Sequence, residues 1–185
     1  GVLGPVKPHF DNTPPAWLVR GKFCERESHK TGTVLDWSQT RTGNVLIDAT
    51  IFKEENMRFD PSLGRTGGED QDFFRRTINN GKRFVWCDEA AVFETVPPER
   101  WEKSFYIRKY IQKGGRMGEI FRNRPLNLKC MWILKASLSI FFYSLALPFS
   151  ILGGQHIFMN CLLKDLYYIN WFIGFLWRPI IRLRY

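Results

Sequence analysis

The chain has 185 residues, a formal net charge of +9 and four cysteines that form no Cys-x-x-Cys pair. The cysteine spacing therefore gives neither a zinc-ribbon pattern nor a disulfide framework. The length suits one ordinary domain, or a smaller globular unit followed by a membrane-active segment. Nearly all Asp and Glu precede Leu128, and the later part is rich in Phe, Leu, Ile, Trp and Tyr, which favours the second organisation.

The basic residues flank apolar segments instead of forming a compact patch of the kind that binds nucleic acid. Six precede the first apolar run and three follow the last one: Lys109, Lys113, Arg116, Arg122, Arg124, Lys129, then Arg178, Arg182 and Arg184. Cations in such positions are attracted to an anionic membrane leaflet. We therefore expect a membrane, and not a nucleic acid, as the partner.

The segment Gly1–Gly21 contains Pro5, Pro8, Pro14 and Pro15 among few periodic apolar positions. This predicts an extended crossing segment without a helix or a paired strand. The chain begins Gly-Val-Leu, without an initiator Met or a signal peptide, so we expect a fragment of a longer protein.

The middle of the chain predicts a short strand, a helix and two further strands. Asn44–Ile47 reads as a strand, after which Asp48 can cap a helical turn. Apolar positions at helical spacing and an acidic first turn predict a helix from Glu69 to Asn80. Alternation predicts strands over Arg83–Cys87 and Ala91–Val96.

A basic amphipathic helix is predicted to open at Pro98-Glu99 and to stop at Gly114-Gly115. It either packs on the sheet or lies at a membrane surface.

Two apolar segments follow. Residues 136–152 carry no charge, and extension back to Met131 admits only Lys135, so this run can just span a bilayer. The segment from Ile157 to Trp177 is interrupted by Lys164 and Asp165, so a re-entrant or interfacial helix is an equal alternative. Cations at the outer ends predict a hairpin with both ends on the cytoplasmic side and Gly153-Gly154 as its turn. A buried helical pair in a soluble oligomer is the competing interpretation.

These segments predict four parts of the chain. Residues 1–120 form a globular part, 121–130 a basic linker, 131–177 a membrane-associated helical hairpin and 178–185 a basic tail.

The string Gly67-Gly68-Glu69-Asp70-Gln71-Asp72 places three carboxylates at a helix N-terminus behind two glycines that permit close approach of another molecule. Acidic first turns are common because they offset the partial positive charge of the helix dipole. The cluster is therefore either dipole compensation or a functional site.

The chain resembles the C-terminal half of bacterial family 2 glycosyltransferases, especially those of cell-surface polysaccharide and succinoglycan-type biosynthesis. The resemblance covers most of the chain and rests on a few strings: GPVKPHF with PPAW, RTGNVLI, GGEDQDFFRR, NGKRFVWCDEAAVFETVP, PERW and the hydrophobic tail. GGEDQDFFRR followed by NGKRFVW is the most specific of these.

The resemblance implies an α/β fold of the GT-A type, a Rossmann-like mixed sheet in which a nucleotide-binding half precedes an acceptor-binding half. Only the acceptor half is expected here. The Asp-x-Asp motif that holds the donor diphosphate through a divalent cation, Mg or Mn, is expected upstream of Gly1. Asp70-Gln71-Asp72 has that spelling but matches the position of the family's base.

By the match, Asp70 corresponds to the catalytic base, with Glu69 as the nearest alternative. A carboxylate in this place accepts the proton of a sugar hydroxyl as the new glycosidic bond forms, in one displacement that inverts the anomeric configuration. Asp72 is expected to orient the acceptor or to cap the helix. Gly43 and Asn44 are expected to line the donor sugar pocket, and Gly68 to let substrate approach the backbone.

Two positions depart from the family pattern. Glu94 stands where many relatives place a His near the metal, so it is either a metal ligand or an ion-pair partner of Arg100. Arg116 belongs to Gln112-Lys-Gly-Gly-Arg116-Met, which lacks the Gln-x-x-Arg-Trp spelling of processive synthases. Arg116 is a candidate diphosphate contact, and transfer of a single sugar is expected over polymerisation.

The sequence thus predicts an inverting hexosyltransferase at the cytoplasmic face of a bacterial inner membrane. It would use a nucleotide-sugar donor and a lipid-linked or polysaccharide acceptor, and the fragment alone is expected to be inactive. The alternative is a non-catalytic, basic module for membrane attachment or glycan binding.

Overall fold

The computed structural model describes residues 1–53, 57–63 and 68–177. These residues form two compact units. The first combines Gly1–Asp11 with Glu25–Thr95, and the second combines Asn12–Cys24 with the chain from Val96 onward. The domain boundaries predicted at residues 120, 130 and 177 remain predictions. In the structure, the chain passes from the first compact unit to the second at Val96.

The first unit has a mixed α/β architecture, as predicted. Its strands are β1 (Val2–Leu3), β2 (Val6–His9), β3 (Val45–Leu46), β4 (Val85–Trp86) and β5 (Val92–Thr95), and its helices are α2 (Thr50–Lys53) and α3 (Glu69–Asn79). One sheet has the order β3-β1-β4, with β1 antiparallel to β3 and parallel to β4. In the other, β2 and β5 pair in parallel.

Helix α3 is held against the core by its aromatic side chains. Phe73 and Phe74 are fully buried in a cluster with Leu3 from β1 and Trp86 from β4. The Phe74 ring also packs edge-on against Phe84, with 4.9 Å between centroids. Edge-to-face aromatic pairs stabilise a fold by more than the burial of their apolar surface alone. These contacts therefore fix the position of α3 on the core.

The prediction for Gly1–Gly21 was wrong. That segment contains β1, β2 and, in the second unit, helix α1 (Ala16–Arg20), whose Leu18 is buried. Pro8 pairs in register with Glu94 of β5. In the described part of the chain β2 has one partner strand, and proline is tolerated in a strand with an open edge because it needs no donor there.

The second unit contains α1 and three long helices: α4 (Lys103–Arg122), α5 (Leu126–Ser150) and α6 (Gln155–Leu176). A 3-10 turn over Pro98–Trp101 precedes α4. Residues 121–130, the predicted linker, form the end of α4 and the start of α5.

The predicted stop at Gly114-Gly115 was wrong, because α4 continues for two further turns. A Cβ atom on Gly114 would lie 2.2 Å from the Tyr167 carbonyl oxygen, and one on Gly118 would lie 2.1 Å from that of Trp171. These glycines let the backbones of α4 and α6 touch. Their role is helix packing and not helix termination.

The helical hairpin has the predicted turn. A 3-10 turn over Ile151–Gly153 and Gly154, with a φ of 96°, join α5 to α6. Among the described residues, Leu126–Gly153 is the one helix that is long and apolar enough to cross a membrane. In α6, Asp165 is buried and accepts a hydrogen bond from Ser144 Oγ at 3.1 Å. The predicted basic tail, 178–185, lies outside the described residues.

Candidate functional site

The candidate site is the N-terminal turn of α3. Gly68 precedes it with a φ of 99°, in the left-handed region that favours glycine. Glu69, Asp70 and Asp72 all lie in the first turn, as predicted. Gly67 lies outside the described residues.

Asp72 is engaged within its own helix. Its two carboxylate oxygens accept hydrogen bonds from Arg75 Nη2 and Arg76 Nε, each at 2.8 Å. These bonds hold the pKa of the Asp72 carboxyl below its usual value. Arg76 also donates to the carbonyl oxygen of Arg58 at 2.6 Å, and this bond connects α3 to the segment that precedes it. A carboxylate stabilised in this way is a weak proton acceptor.

Asp70 and Glu69 have different surroundings. Asp70 Oδ1 accepts a hydrogen bond from the Gln71 backbone amide at 2.8 Å, and no side chain among the described residues pairs with it. Glu69 Oε2 is shielded from solvent and likewise has no hydrogen-bond partner within the described ranges. Within the described ranges, neither carboxylate has the cationic partners that Asp72 has.

Asn44 connects the two parallel strands of the small sheet at their start. Its side-chain Nδ2 donates to the Ala90 carbonyl oxygen at 2.6 Å and to that of Pro5 at 3.2 Å. The backbone carbonyl oxygen of Asn44 accepts a hydrogen bond from the Gly4 amide. The contacts of the side chain are thus structural, and its predicted role in lining a donor pocket stays a prediction.

Gly43 lies against the guanidinium group of Arg26, a residue that was not among the predicted site residues. A Cβ atom on Gly43 would lie 2.6 Å from Arg26 Nη1. Arg26 also forms an ion pair with Glu94 of β5. Arg26 stands in a hydrophilic loop with no local motif around it, so only the tertiary fold reveals the contact.

The metal and diphosphate candidates remain predictions. Glu94 has Arg26 as a partner, and the described part of the chain brings together no group of three or more His, Cys, Asp or Glu that could hold a metal ion. Arg116 occupies an exposed position on α4, in the second compact unit.

Comparisons with known proteins add one relative. No family model matches the chain. No solved structure matches it either, so the GT-A assignment stays an implication of the motifs. The chain is 32% identical over 134 residues to the succinoglycan biosynthesis protein ExoM of Rhizobium meliloti (strain 1021). The match covers 71% of the chain but 42% of that relative, so the chain spans less than half of its length. The chain is therefore a homologue of part of a succinoglycan biosynthesis protein, which confirms the predicted resemblance to proteins of succinoglycan-type biosynthesis.

Proposed function

We propose that the chain is the acceptor-side part of an inverting glycosyltransferase that builds a cell-envelope or extracellular polysaccharide. The observation that carries this proposal is the similarity to the succinoglycan biosynthesis protein over 134 residues. The first turn of α3 supplies the chemistry, since it holds carboxylates without a cationic partner in the described part of the fold.

Asp70 is the proposed base and Glu69 the alternative. An ordinary carboxylate has to be deprotonated and accessible to accept a proton from a sugar hydroxyl. Asp72 is less suited, because Arg75 and Arg76 already satisfy its oxygens. Its proposed role is to fix the first turn of α3 and so to position its neighbours.

The reaction is a single displacement at the anomeric carbon. The acceptor hydroxyl oxygen forms the new bond to that carbon, and the bond from the carbon to the donor diphosphate breaks. The hydroxyl proton passes to the carboxylate, and the electron pair of the broken bond leaves with the nucleoside diphosphate. Attack from the face opposite the leaving group inverts the configuration.

The divalent cation implied by the resemblance is proposed to belong to the donor-binding half. The described residues provide no cluster that suits such an ion, so no step is assigned to it here. Its chemistry, when bound, is to neutralise the charge that develops on the departing diphosphate. The nucleotide-sugar donor and the lipid-linked or polysaccharide acceptor are likewise proposals.

The test is sugar transfer by the protein that the complete reading frame encodes. Bacterial membranes containing it are incubated with radiolabelled nucleotide sugars, and label in the lipid and polysaccharide fractions is measured. The proposal predicts sugar transfer. It also predicts that the anomeric configuration of the product, read from the coupling of its anomeric proton, is opposite to that of the donor. Retention of configuration would contradict the single displacement.

The competing function is a non-catalytic glycan-binding or membrane-attachment module. It predicts that glycan or membranes are bound while no donor is consumed at any enzyme concentration. Absence of donor turnover together with intact binding would favour this module over the enzyme.

A further inference from the structure

The three long helices form a layer with α6 in the middle. Helix α6 packs against both α4 and α5, which have few contacts with each other. Helix α4 runs parallel to α6: Lys103 Nζ bonds Gln155 Oε1 at 3.3 Å where both helices begin, and Arg122 donates to the Gly174 and Phe175 carbonyls where both end. The three helices therefore lie side by side over their whole length.

Helix α5 carries an exposed apolar stripe on one side. Its residues recur at intervals of three or four positions, and each is exposed by 48% to 68%: Met131, Leu134, Leu138, Phe142, Leu145 and Phe149. The adjoining Leu152 is 88% exposed. A contiguous exposed apolar stripe of this length marks an interaction surface.

Cations on the opposite helix lie level with the middle of this stripe. Asp165 lies beside Ser144 of α5, and the Trp171 ring lies 6.2 Å from that of Trp132. Gly114 of α4 touches α6 at Tyr167, between these two levels. The neighbours of Gly114 along the exposed side of α4 are Lys113 and Arg116.

This register separates two membrane arrangements. If α5 crossed a bilayer, α4, which runs alongside α6, would carry Lys113 and Arg116 to the depth of the hydrocarbon core, together with the exposed Lys164 of α6. Charges at that depth are strongly unfavourable. If the helix axes instead run parallel to the membrane surface, with α5 as the lowest edge of the layer, the stripe enters the acyl region. Helix α4, on the far side of α6, then remains in water or among headgroups.

We propose that α5 lies in the plane of the membrane surface, with its apolar stripe inserted into one leaflet, and does not cross the bilayer. The proposal rests on the membrane association in the proposed function and replaces the spanning hairpin expected from the sequence. The occupant of the stripe is an anionic phospholipid surface. The exposed Lys135 flanks the stripe, Lys129 lies in the first turn of α5, Arg124 precedes the helix, and α5 contains no acidic residue.

A second copy of the chain fits the stripe less well. It would bring the same cations and no carboxylate from the same helix. An anionic lipid surface supplies both the apolar region and the opposite charge, and each nearby cation strengthens its binding.

The test measures depth along α5 with single fluorescent labels. Cysteines replace Met131, Leu138, Leu145 or Leu152 in a variant of the chain whose own four cysteines are changed to Ser. Each variant carries a nitrobenzoxadiazole label and is bound to vesicles of phosphatidylcholine with 30% phosphatidylglycerol. Lipids that carry a nitroxide group at known positions of the acyl chain then report the depth of the label by quenching its fluorescence. Dithionite added outside the vesicles reports its accessibility.

The in-plane arrangement predicts similar shallow depths for labels at 131, 138 and 145. It also predicts that dithionite added outside the vesicles bleaches the label at 152 to completion, as it does one placed by Lys113→Cys, because both lie on the outer side of the bilayer. A deepest label at 138 with a label at 152 that dithionite cannot reach would overturn the proposal in favour of a spanning hairpin.

Binding variants provide the independent check. The double substitution Leu138→Ser and Phe142→Ser should weaken vesicle binding roughly tenfold or more, because the buried apolar area sets the affinity. The matched control is Leu46→Ser, at an exposed apolar position in β3 of the other unit, which should bind like the parent. Equal binding by the double variant, or stable dimers in lipid-free solution that the double variant abolishes, would contradict the proposal. None of these readouts depends on sugar transfer, so failure here is distinct from failure of the proposed enzymatic function.

Discussion

The three carboxylates at the start of α3 differ in their partners and not in their position along the chain. Asp72 bonds two arginines of the same helix, whereas the described residues offer neither Asp70 nor Glu69 a cation. The sequence locates the cluster, because an acidic first turn behind glycine is a local signal. It does not tell which carboxylate is engaged, since that depends on which rotamers of Arg75 and Arg76 the packing selects.

Asp72→Asn should lower the free energy of unfolding at pH 7 by about 1 kcal/mol, because it removes a pair of ion pairs and a favourable charge at the helix start. The arginines lower the pKa of Asp72, so its contribution is full at neutral pH and is lost as the pH falls below the ordinary carboxyl range. Urea unfolding at pH 7 and at pH 3 should therefore show a difference between variant and parent that shrinks at pH 3.

Asp11→Asn is the matched control, since Asp11 is a largely exposed carboxylate outside the helix. It should have little effect at either pH. The same loss of stability for Asp72→Asn at pH 3 as at pH 7 would show that its ionised form is not what stabilises α3.

Asn44→Ala should lower the free energy of unfolding by roughly 1–2 kcal/mol, because the carbonyls of Pro5 and Ala90 each lose a donor. Asn12→Ala, at an exposed position, serves as control. Urea unfolding measures stability, and equilibrium dialysis with nucleotide sugars measures donor binding by the complete protein. Unchanged stability with lost donor binding would restore Asn44 to the donor-pocket role predicted from the sequence and contradict the structural role.

At the scale of elements, one glycine signal and one proline signal led to wrong predictions. Gly114-Gly115 predicted a helix end, yet α4 continues because its glycines meet the backbone of α6. Pro8 argued against a strand, yet it lies in β2 beside a single partner strand. Both residues have two structural uses, and the tertiary neighbour decides between them. The strands near Val45, Val85 and Val92 and helix α3 were predictable because alternation and an acidic start are local patterns.

The packing of α4 on α6 predicts that alanine substitutions at Gly115, Gly118 and Gly174 differ in their effect on stability. A Cβ atom on Gly118 would lie 2.1 Å from the Trp171 carbonyl oxygen, and one on Gly174 would lie 2.0 Å from that of Gly115. Gly118→Ala and Gly174→Ala should each lower the free energy of unfolding by roughly 1–3 kcal/mol, because the backbones have to separate. Circular dichroism during urea unfolding in mild detergent measures the change.

Gly115→Ala is the internal control for this series. Its Cβ atom would lie 3.9 Å from the nearest oxygen, that of Asn170. Alanine should therefore fit and stabilise α4 by about 0.5–1 kcal/mol through its higher helix propensity. Equal effects at 115 and 118 would contradict the close contact between α4 and α6.

At the scale of the molecule, composition predicted a globular part followed by an apolar hairpin, and the turn at Gly153-Gly154 was found where expected. Composition did not predict that α4 accompanies α6 from end to end. That pairing depends on small residues in two helices about 55 positions apart in the chain. Patterns within a short stretch of sequence cannot reveal a contact at that separation. It changes the expected membrane geometry, since each cation carried to the bilayer centre would cost about 3 kcal/mol on insertion scales.

The similarity to a succinoglycan biosynthesis protein supports the proposed class of function, and the carboxylates in the first turn of α3 support the proposed chemistry. In the proposed function, Asp70 accepts the proton of the acceptor hydroxyl. The most direct test is single-turnover sugar transfer by the complete protein, with donor binding measured in parallel on the same preparations.

Asp70→Asn should reduce the transfer rate by a factor of about 10² to 10⁴ while donor binding stays close to that of the parent, because the amide cannot accept the proton. Glu69→Gln should have a smaller effect, and the Asp11→Asn control should transfer at the parental rate. Parental transfer by Asp70→Asn would contradict the account, and a large loss confined to Glu69→Gln would move the base to the neighbouring residue.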